Sequence, residues 1–313
     1  MKKLREDVCC SYLINDDGRS GKQINKNTGE VFDVEYAVLR AGDRILTKED
    51  IERIERYKKI KQRREEREAE QKKRRKGADG KAIQFTGVST SESFSDLSPA
   101  SVTRLIYLST YLRYNGELRV SERTQITKKM LPDILHLGIR SVERFLQEVS
   151  PKYVIVEDDG RLSLNPDVFH KGKRMKSLIA FYMKVFENGM QRLYDGVNKS
   201  QHKHLGYIFS MLRYVNIEHN ILCDNTAERD ISLIEPMTMS EFCTKIGYDY
   251  KNVQRLHDIF KRLKFDVGNG KRELFCSIIQ NEYTGKEFIV INPKVFYSGS
   301  NAEAVAEFGI FFK

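Results

Sequence analysis

The sequence predicts a mainly α, α+β chain made of two copies of one small unit, each ending in a short β wing. Three landmarks carry this. Leu105-Ile106-Tyr107-Leu108, with Leu112-Arg113-Tyr114, returns as Leu205-Gly206-Tyr207-Ile208, with Leu212-Arg213-Tyr214. Gly138 followed by Val142-Glu143-Arg144-Phe145 returns as Gly247 followed by Val253-Gln254-Arg255-Leu256. Leu162-Ser163-Leu164-Asn165-Pro166-Asp167-Val168-Phe169 returns as Ile289-Val290-Ile291-Asn292-Pro293-Lys294-Val295-Phe296. Landmarks that recur in one order mark an internal duplication. Each copy reads helix, helix, turn, helix, two strands, the order of a winged helix-turn-helix.

The first copy spans 98–175. Ser98-Pro99 supplies a cap and a first-turn proline for a helix through Val102, Leu105, Ile106, Leu108 and Leu112. Gly116 to Val120 can pair as a short strand. Met130 to Leu137 reads as the second helix, Gly138 as the turn, and Arg140 to Val149 as the third helix. Val142, Phe145, Leu146 and Val149 share one face of that helix. Tyr153–Val156 and Arg161–Leu164 flank an Asp-Gly turn, which predicts a hairpin wing.

The second copy spans 201–299. Leu205 to Tyr214 is its first helix, followed by an insertion from Asn216 to Pro236. Thr238-Met239-Ser240-Glu241 is a capping box opening the second helix, and Gly247 ends it. Tyr250 to Leu263 is the third helix, and an extended wing runs from Phe265 to Ile291.

Around the copies, residues 1–46 read as a β-rich segment with a hairpin near Asn25–Phe32, continued by Val34, Tyr36 and Val38, and no core of its own. Residues 47–97 read as a basic helix capped by Thr47, then a Gly/Ser/Thr-rich linker. Residues 176–200 are apolar on more than one face and read as a connecting helix packed between the copies, or as a homodimer contact. Residues 300–313 read as a small docking tail.

Composition sets the partner class. The chain of 313 residues is 40% hydrophobic and carries a net charge of +10, which favours polyanions, nucleic acid first. Its five cysteines have no framework spacing, and no apolar run approaches the roughly 18 residues of a membrane helix. With no signal-peptide core at Met1–Asp7, a cytoplasmic, nucleoid-associated chain is expected, with no membrane partner.

Subtracting the buried face of each third helix leaves the residues that can read base edges. These are Arg140, Ser141, Arg144 and Gln147 in copy one, beside Glu143, and Tyr250, Lys251, Asn252, Gln254 and Arg255 in copy two. Arg binds guanine and Gln or Asn binds adenine through paired hydrogen bonds. Phosphate candidates are Lys128, Lys129, Arg161, Lys261, Arg262, Lys271 and Arg272, with Lys72, Lys73, Arg74 and Arg75 on the basic arm. Glu143, Glu148 and the acidic wing tip Glu157-Asp158-Asp159 keep a protein-docking role open for copy one.

Chemistry-bearing motifs are sparse. No phosphate-binding Gly-Lys-Ser/Thr loop occurs. His202-Lys203-His204 lacks the central hydrophobe and strand setting of a rolling-circle nuclease site, and His219, Cys223 and Cys243 lack a paired-cysteine zinc spacing. No enzyme activity, metal or cofactor is expected.

The Asp-Gly wing followed by Leu164-Asn165-Pro166-Asp167-Val168-Phe169-His170-Lys171-Gly172-Lys173-Arg174 resembles the winged-helix end of Firmicute phage and plasmid replication proteins. His204-Leu205-Gly206-Tyr207-Ile208-Phe209, Asn220-Ile221-Leu222-Cys223 and Ile234-Glu235-Pro236 are similar to phage DNA-binding or replication proteins. The resemblance covers 98–299 and implies tandem winged helices that bind double-stranded DNA at an origin, alongside replication proteins. A phage transcriptional regulator, meeting transcription proteins instead, is the alternative with the same DNA chemistry.

Overall fold

The computed structural model describes residues 10–14, 21–34, 44–46, 52–62, 65, 84–91, 94–171, 182–268, 270–280, 285, 287–299 and 311–312. The chain is α+β and forms two compact units, Met1–Ala82 and Ile83–Lys313.

In the first unit, β1 (Cys10–Ile14), β2 (Gly21–Asn25), β3 (Val31–Val34) and β4 (Arg44–Leu46) form one sheet in the order β3-β2-β1-β4. The expected hairpin is β2–β3. Asn25 Oδ1 accepts from the Asn27 amide at 2.9 Å and the Thr28 amide at 3.2 Å, so the asparagine side chain shapes its own turn. β1 and β4, a parallel pair, extend it beyond a hairpin. Residues 52–62 form α1, exposed along its length, Ile54, Tyr57 and Ile60 included. Tyr36, Val38 and the cluster Lys72, Lys73, Arg74 and Arg75 lie outside the described residues.

The second unit holds both copies. Copy one runs β5 (Phe85–Ser89), α2 (Pro99–Ser109), α3 (Leu131–Ile134), α4 (Ile139–Val149), β6 (Val154–Val156), β7 (Leu162–Leu164) and β8 (Phe169–His170). Copy two begins with β9 (Tyr182–Phe186), α5 (Glu187–Gly196), α6 (His202–Phe209), α7 (Met239–Lys245) and α8 (Val253–Phe260). It ends with β10 (Lys264–Gly268), β11 (Lys271–Leu274), β12 (Cys276–Gln280), β13 (Glu287–Ile291) and β14 (Phe296–Tyr297).

Two expectations are corrected here. The described part of 176–200 is not one connecting helix, because strand β9 occupies 182–186 before α5 starts. The stretch 77–97 is not all linker, because β5 lies in it and is buried from Thr86 to Ser89. The causes differ: β5 is buried at four successive residues and so shows no alternation, whereas the alternation of β9 spans only five residues inside a longer apolar stretch. Met183, Val185, Met190 and Leu193 are buried in the unit's own core rather than left for a second copy.

The duplication reappears in hydrogen bonds. The Asn165 amide donates to Tyr153 O at 3.0 Å, and the Asn292 amide donates to Phe275 O at 2.8 Å. Asn165 Nδ2 donates to Lys152 O at 2.8 Å, and Asn292 Nδ2 to Leu274 O at 2.9 Å. Each Oδ1 accepts the amide two residues on, from Asp167 and Lys294. Phe169 and Phe296 then plug the base of their copies, as expected. This equivalence matches β6 with β12 and β7 with β13, so the β10–β11 hairpin is an addition peculiar to copy two.

One four-stranded sheet joins the copies in the order β14-β9-β5-β8. The order is symmetric, since β5 matches β9 and β8 matches β14. The central pair is antiparallel, with Gly87 opposite Lys184. An antiparallel pair of equivalent strands has a local two-fold axis, so the copies are related by an internal pseudo-dyad. The helices obey it too. Thr103 Oγ1, on α2, donates to His202 O on α6 at 2.7 Å, while Pro99 of α2 meets Gly206 of α6, so the two helices run antiparallel. A single hydrophobic core runs through both copies. A smaller cluster of Ile221, Cys223, Ile234 and Val290 holds Phe312, while 300–310 of the expected docking tail lie outside the described residues.

A second set of contacts ties α2, α5 and α6 together. Tyr107 stacks on Tyr194 at 3.8 Å between centroids, and Tyr194 lies 4.1 Å from the His202 ring. Tyr194 O–H donates to Leu135 O at 2.9 Å. His202 Nε2 lies 3.2 Å from Tyr194 O, while Nδ1 is buried with no partner among the described residues. Burial pushes the His202 pKa down to about 4, because an imidazolium there would be poorly solvated.

Two outcomes follow. A Cβ on Gly206 would lie 1.6 Å from Pro99 O, a backbone atom, so Gly206→Ala must force α2 and α6 apart. Chemical denaturation should show a loss of about 2–4 kcal/mol. A native His202 pKa below its unfolded value means that the unfolded chain binds more protons between the two. Stability is therefore lost as pH falls from about 6.5 to about 4, by about 2–3 kcal/mol. His202→Gln should lose correspondingly less over that window in thermal melts at matched pH.

Candidate nucleic-acid interface

Copy one presents its candidate residues on α4. Lys128–Met130 form a 3-10 turn and α3 is a single helical turn, shorter than the expected Met130–Leu137 helix. His136 takes φ 52°, outside helical space, and ends it. Gly138 then opens α4 with no capping side chain. Val142, Phe145, Leu146 and Val149 are buried, which holds the opposite face in solvent. Arg140, Ser141, Glu143, Arg144 and Gln147 are all exposed, and their side chains have no hydrogen-bond or ion-pair partner among the described residues.

Glu148 differs from Glu143. It accepts from the Ser98 amide at 3.2 Å and from Ser98 Oγ at 2.7 Å, at the start of α2. Burial would raise its pKa, but the Ser98 and Ser101 hydrogen bonds hold it below the ordinary carboxylate range. It braces the helix and is not a free docking carboxylate.

The first wing is the expected hairpin, with Gly160 at φ 81° in the turn, a conformation that suits glycine. The Lys128 amide donates to Gly160 O at 2.8 Å, which sets the wing beside the 3-10 turn. Lys128, Glu143, Leu146, Gln147, Ser150 and Val156 line an open cleft of about 400 Å³ between α4 and β6. Arg161, a phosphate candidate, is already engaged: Glu157 lies 3.1 Å and Asp159 2.5 Å from its guanidinium. Two ion pairs would have to open before it met a phosphate. Lys128 and Lys129 are exposed.

Copy two is built the same way with local differences. The Thr238–Glu241 capping box forms, with Glu241 N to Thr238 Oγ1 at 3.2 Å and Thr238 N to Glu241 Oε2 at 2.8 Å. The expected Tyr250–Leu263 helix divides into a 3-10 turn over Tyr250–Asn252 and α8, which ends at Phe260. Leu256 and Phe260 are buried, and Lys251, Asn252, Gln254 and Arg255 are exposed. Asn252 Nδ2 donates to Asp249 at 3.2 Å and Gln254 Nε2 to Asp258 at 3.1 Å, so both amides are held by neighbouring carboxylates. Arg255, the equivalent of Arg144, stands near His204 of α6, whose pKa is lowered by burial and then by the Lys203 and Arg255 charges. Lys261 and Arg262 follow α8 in a turn, with Arg262 Nε donating to Asp258 O.

The second wing is two hairpins, β10–β11 and β12–β13. Sequence reasoning missed the buried Glu273 at its root. It accepts from Lys294 at 2.6 Å, Lys271 at 3.1 Å and Asn292 at 3.2 Å. Lys271 is thereby partly committed, and Arg272 donates to Lys264 O at 2.9 Å. Also missed was the buried ion pair of Lys171 with Glu187, which links the end of copy one to the start of α5. Lys171 and Glu187 lie sixteen residues apart, and the buried Glu273 is held by Asn292 and Lys294 from beyond β13, so neither site is signalled locally.

Among the described residues, no group of His, Cys, Asp or Glu is placed to hold a metal, and no helix is long and apolar enough to cross a membrane. His202 is a core residue, and His219 Nε2 lies 2.9 Å from Arg229 O.

The two glutamates of α4 should separate in denaturation experiments. Glu148→Ala should cost about 1 kcal/mol through loss of the helix brace, while Glu143→Ala should stay within about 0.5 kcal/mol of wild type. No protein-family model, curated protein or solved structure matches this chain.

Proposed function

We propose that the chain binds double-stranded DNA sequence-specifically, without catalysis, through two tandem winged helix-turn-helix heads whose reading elements are α4 and α8. One observation carries the proposal. Each third helix buries its apolar face and leaves an arginine at the same repeat position, Arg144 and Arg255, exposed to solvent after a short helix and a tight turn. Helices so placed enter the major groove, and arginine is the side chain best suited to guanine there. Lys128, Lys129, Lys261, Arg262 and Arg272 serve in this reading as phosphate ligands, adding affinity and salt dependence. The proposed biological use is origin recognition in phage or plasmid replication, on the strength of the resemblance at 98–299.

The internal pseudo-dyad adds a constraint. Heads related by a two-fold axis meet half-sites in opposite orientation, so one chain should prefer an inverted pair of unlike half-sites. Their centres should lie about 10 base pairs apart if both heads lie on one face of the duplex.

A second reading applies to copy one alone. Its wing tip neutralises its own Arg161, and Ile155 and Val156 are exposed beside it. These features suit a protein partner in the replication or transcription machinery.

The test is a pull-down of fragments of the encoding genome at near-physiological salt, read by sequencing, beside an Arg144→Ala, Arg255→Ala double variant. Sharp peaks with inverted half-sites, lost in the variant, are expected. Their position over an origin or a promoter separates initiator from regulator. Diffuse binding that salt removes and the variant retains would overturn the proposal and favour protein docking.

A further inference from the structure

Resting on the DNA-binding reading, we infer that Ile139 reads the C5-methyl group of a thymine in the major groove. Ile139 is the first residue of α4 and is 68% exposed, the most exposed aliphatic side chain among the described residues. The other apolar residues of α4, at Val142, Phe145, Leu146 and Val149, are buried, so a helix that otherwise segregates its faces leaves one large apolar group in water.

Its position explains the exception. Ile139 belongs by periodicity to the core-facing side, yet it is the first residue of α4 and stays exposed, and Val142, three residues on, is the first that the core covers. The first turn of a reading helix is the part that meets base edges. Gly138 contributes no side chain to shield it, and the first turn carries no acidic residue to repel phosphate. Arg140 follows Ile139, Glu143 stands one turn on and Arg144 next to it, all exposed with no partner among the described residues, and Lys128 faces α4 across the open cleft that Glu143 also lines. The surroundings are therefore net cationic, with Arg140, Arg144 and Lys128 against the one carboxylate of Glu143, and Ile139 is the exposed aliphatic group that α4 itself contributes.

That combination selects the occupant. A basic rim with free guanidinium groups fits a polyanion, and the thymine methyl is the one apolar group that a base pair shows in the major groove. The repeat places Tyr250 at the equivalent position of copy two, so both heads begin with a large side chain that has apolar surface.

The probe is a duplex selected by the full chain from a random library. Each thymine in it is replaced in turn by deoxyuridine, which lacks only the methyl. Wild type should lose affinity about fourfold at one position, the factor that one buried methyl is worth. Ile139→Ala should bind the thymine duplex as weakly as wild type binds that deoxyuridine duplex, and should not distinguish the two. An unchanged melting temperature for the variant would show that its fold is intact, as its exposure requires. Thymine discrimination that persists in Ile139→Ala, or a scan in which no single methyl matters, would overturn the inference while leaving DNA binding in place. Failure to select any duplex would overturn the DNA reading and this inference together.

Discussion

The close approach of α2 to α6 is the constraint on which the rest of the second unit depends. Gly206 lets the Pro99 carbonyl sit where any Cβ would be, and Thr103 closes the other end of the crossing on His202 O. Alongside this crossing, β5 and β9 pair with each other and each copy lends its last strand to the same sheet. Two small modules would each bury a modest fraction of their surface; sharing one core raises that fraction for both. The shared core also makes the copies a rigid pair, since moving one head would break sheet pairing, the Tyr107–Tyr194 stack and the Lys171–Glu187 ion pair.

Rigidity gives the outer faces their meaning. α4 and α8 lie at equivalent places around the pseudo-dyad, so their exposed side chains are held at a fixed spacing instead of being hung on a flexible tether. If the chain binds DNA as proposed, a fixed spacing would add affinity because the second contact is made without a further search. The copies are alike in frame and unlike in charge. Copy one closes its wing cation onto its own carboxylates, whereas copy two adds the β10–β11 hairpin with Lys271 and Arg272. Divergence after duplication has thus altered the rim and kept the hydrogen bonds of Asn165 and Asn292 that end each wing.

Much of this was legible locally. The Thr238–Glu241 box, the Ser98 cap with Pro99, the Asp-Gly wing turn and the Asn-Pro turns are decided by residues within a few positions of one another, and all form as read. The inward faces of α4 and α8 follow from helical spacing in the same way. What escaped were features whose cause lies far along the chain. β5 reads as a linker because Thr86, Gly87 and Ser89 are polar or small, yet its partners are residues 182–186 and 169–170. β9 reads as helix because its five residues lie in a longer apolar stretch with α5, too short a run for the alternation of buried Met183 and Val185 to stand out.

The sequence by itself determined the repeated landmarks, the buried and exposed faces of α4 and α8 and the local caps and turns, because those are written in short-range pattern and repeat. Tertiary structure alone decided the common sheet, the pseudo-dyad, the pairing of Lys171 with Glu187 and the exposure of Ile139. Each of these depends on which distant backbone or charge arrives at a residue, and no local spacing encodes that.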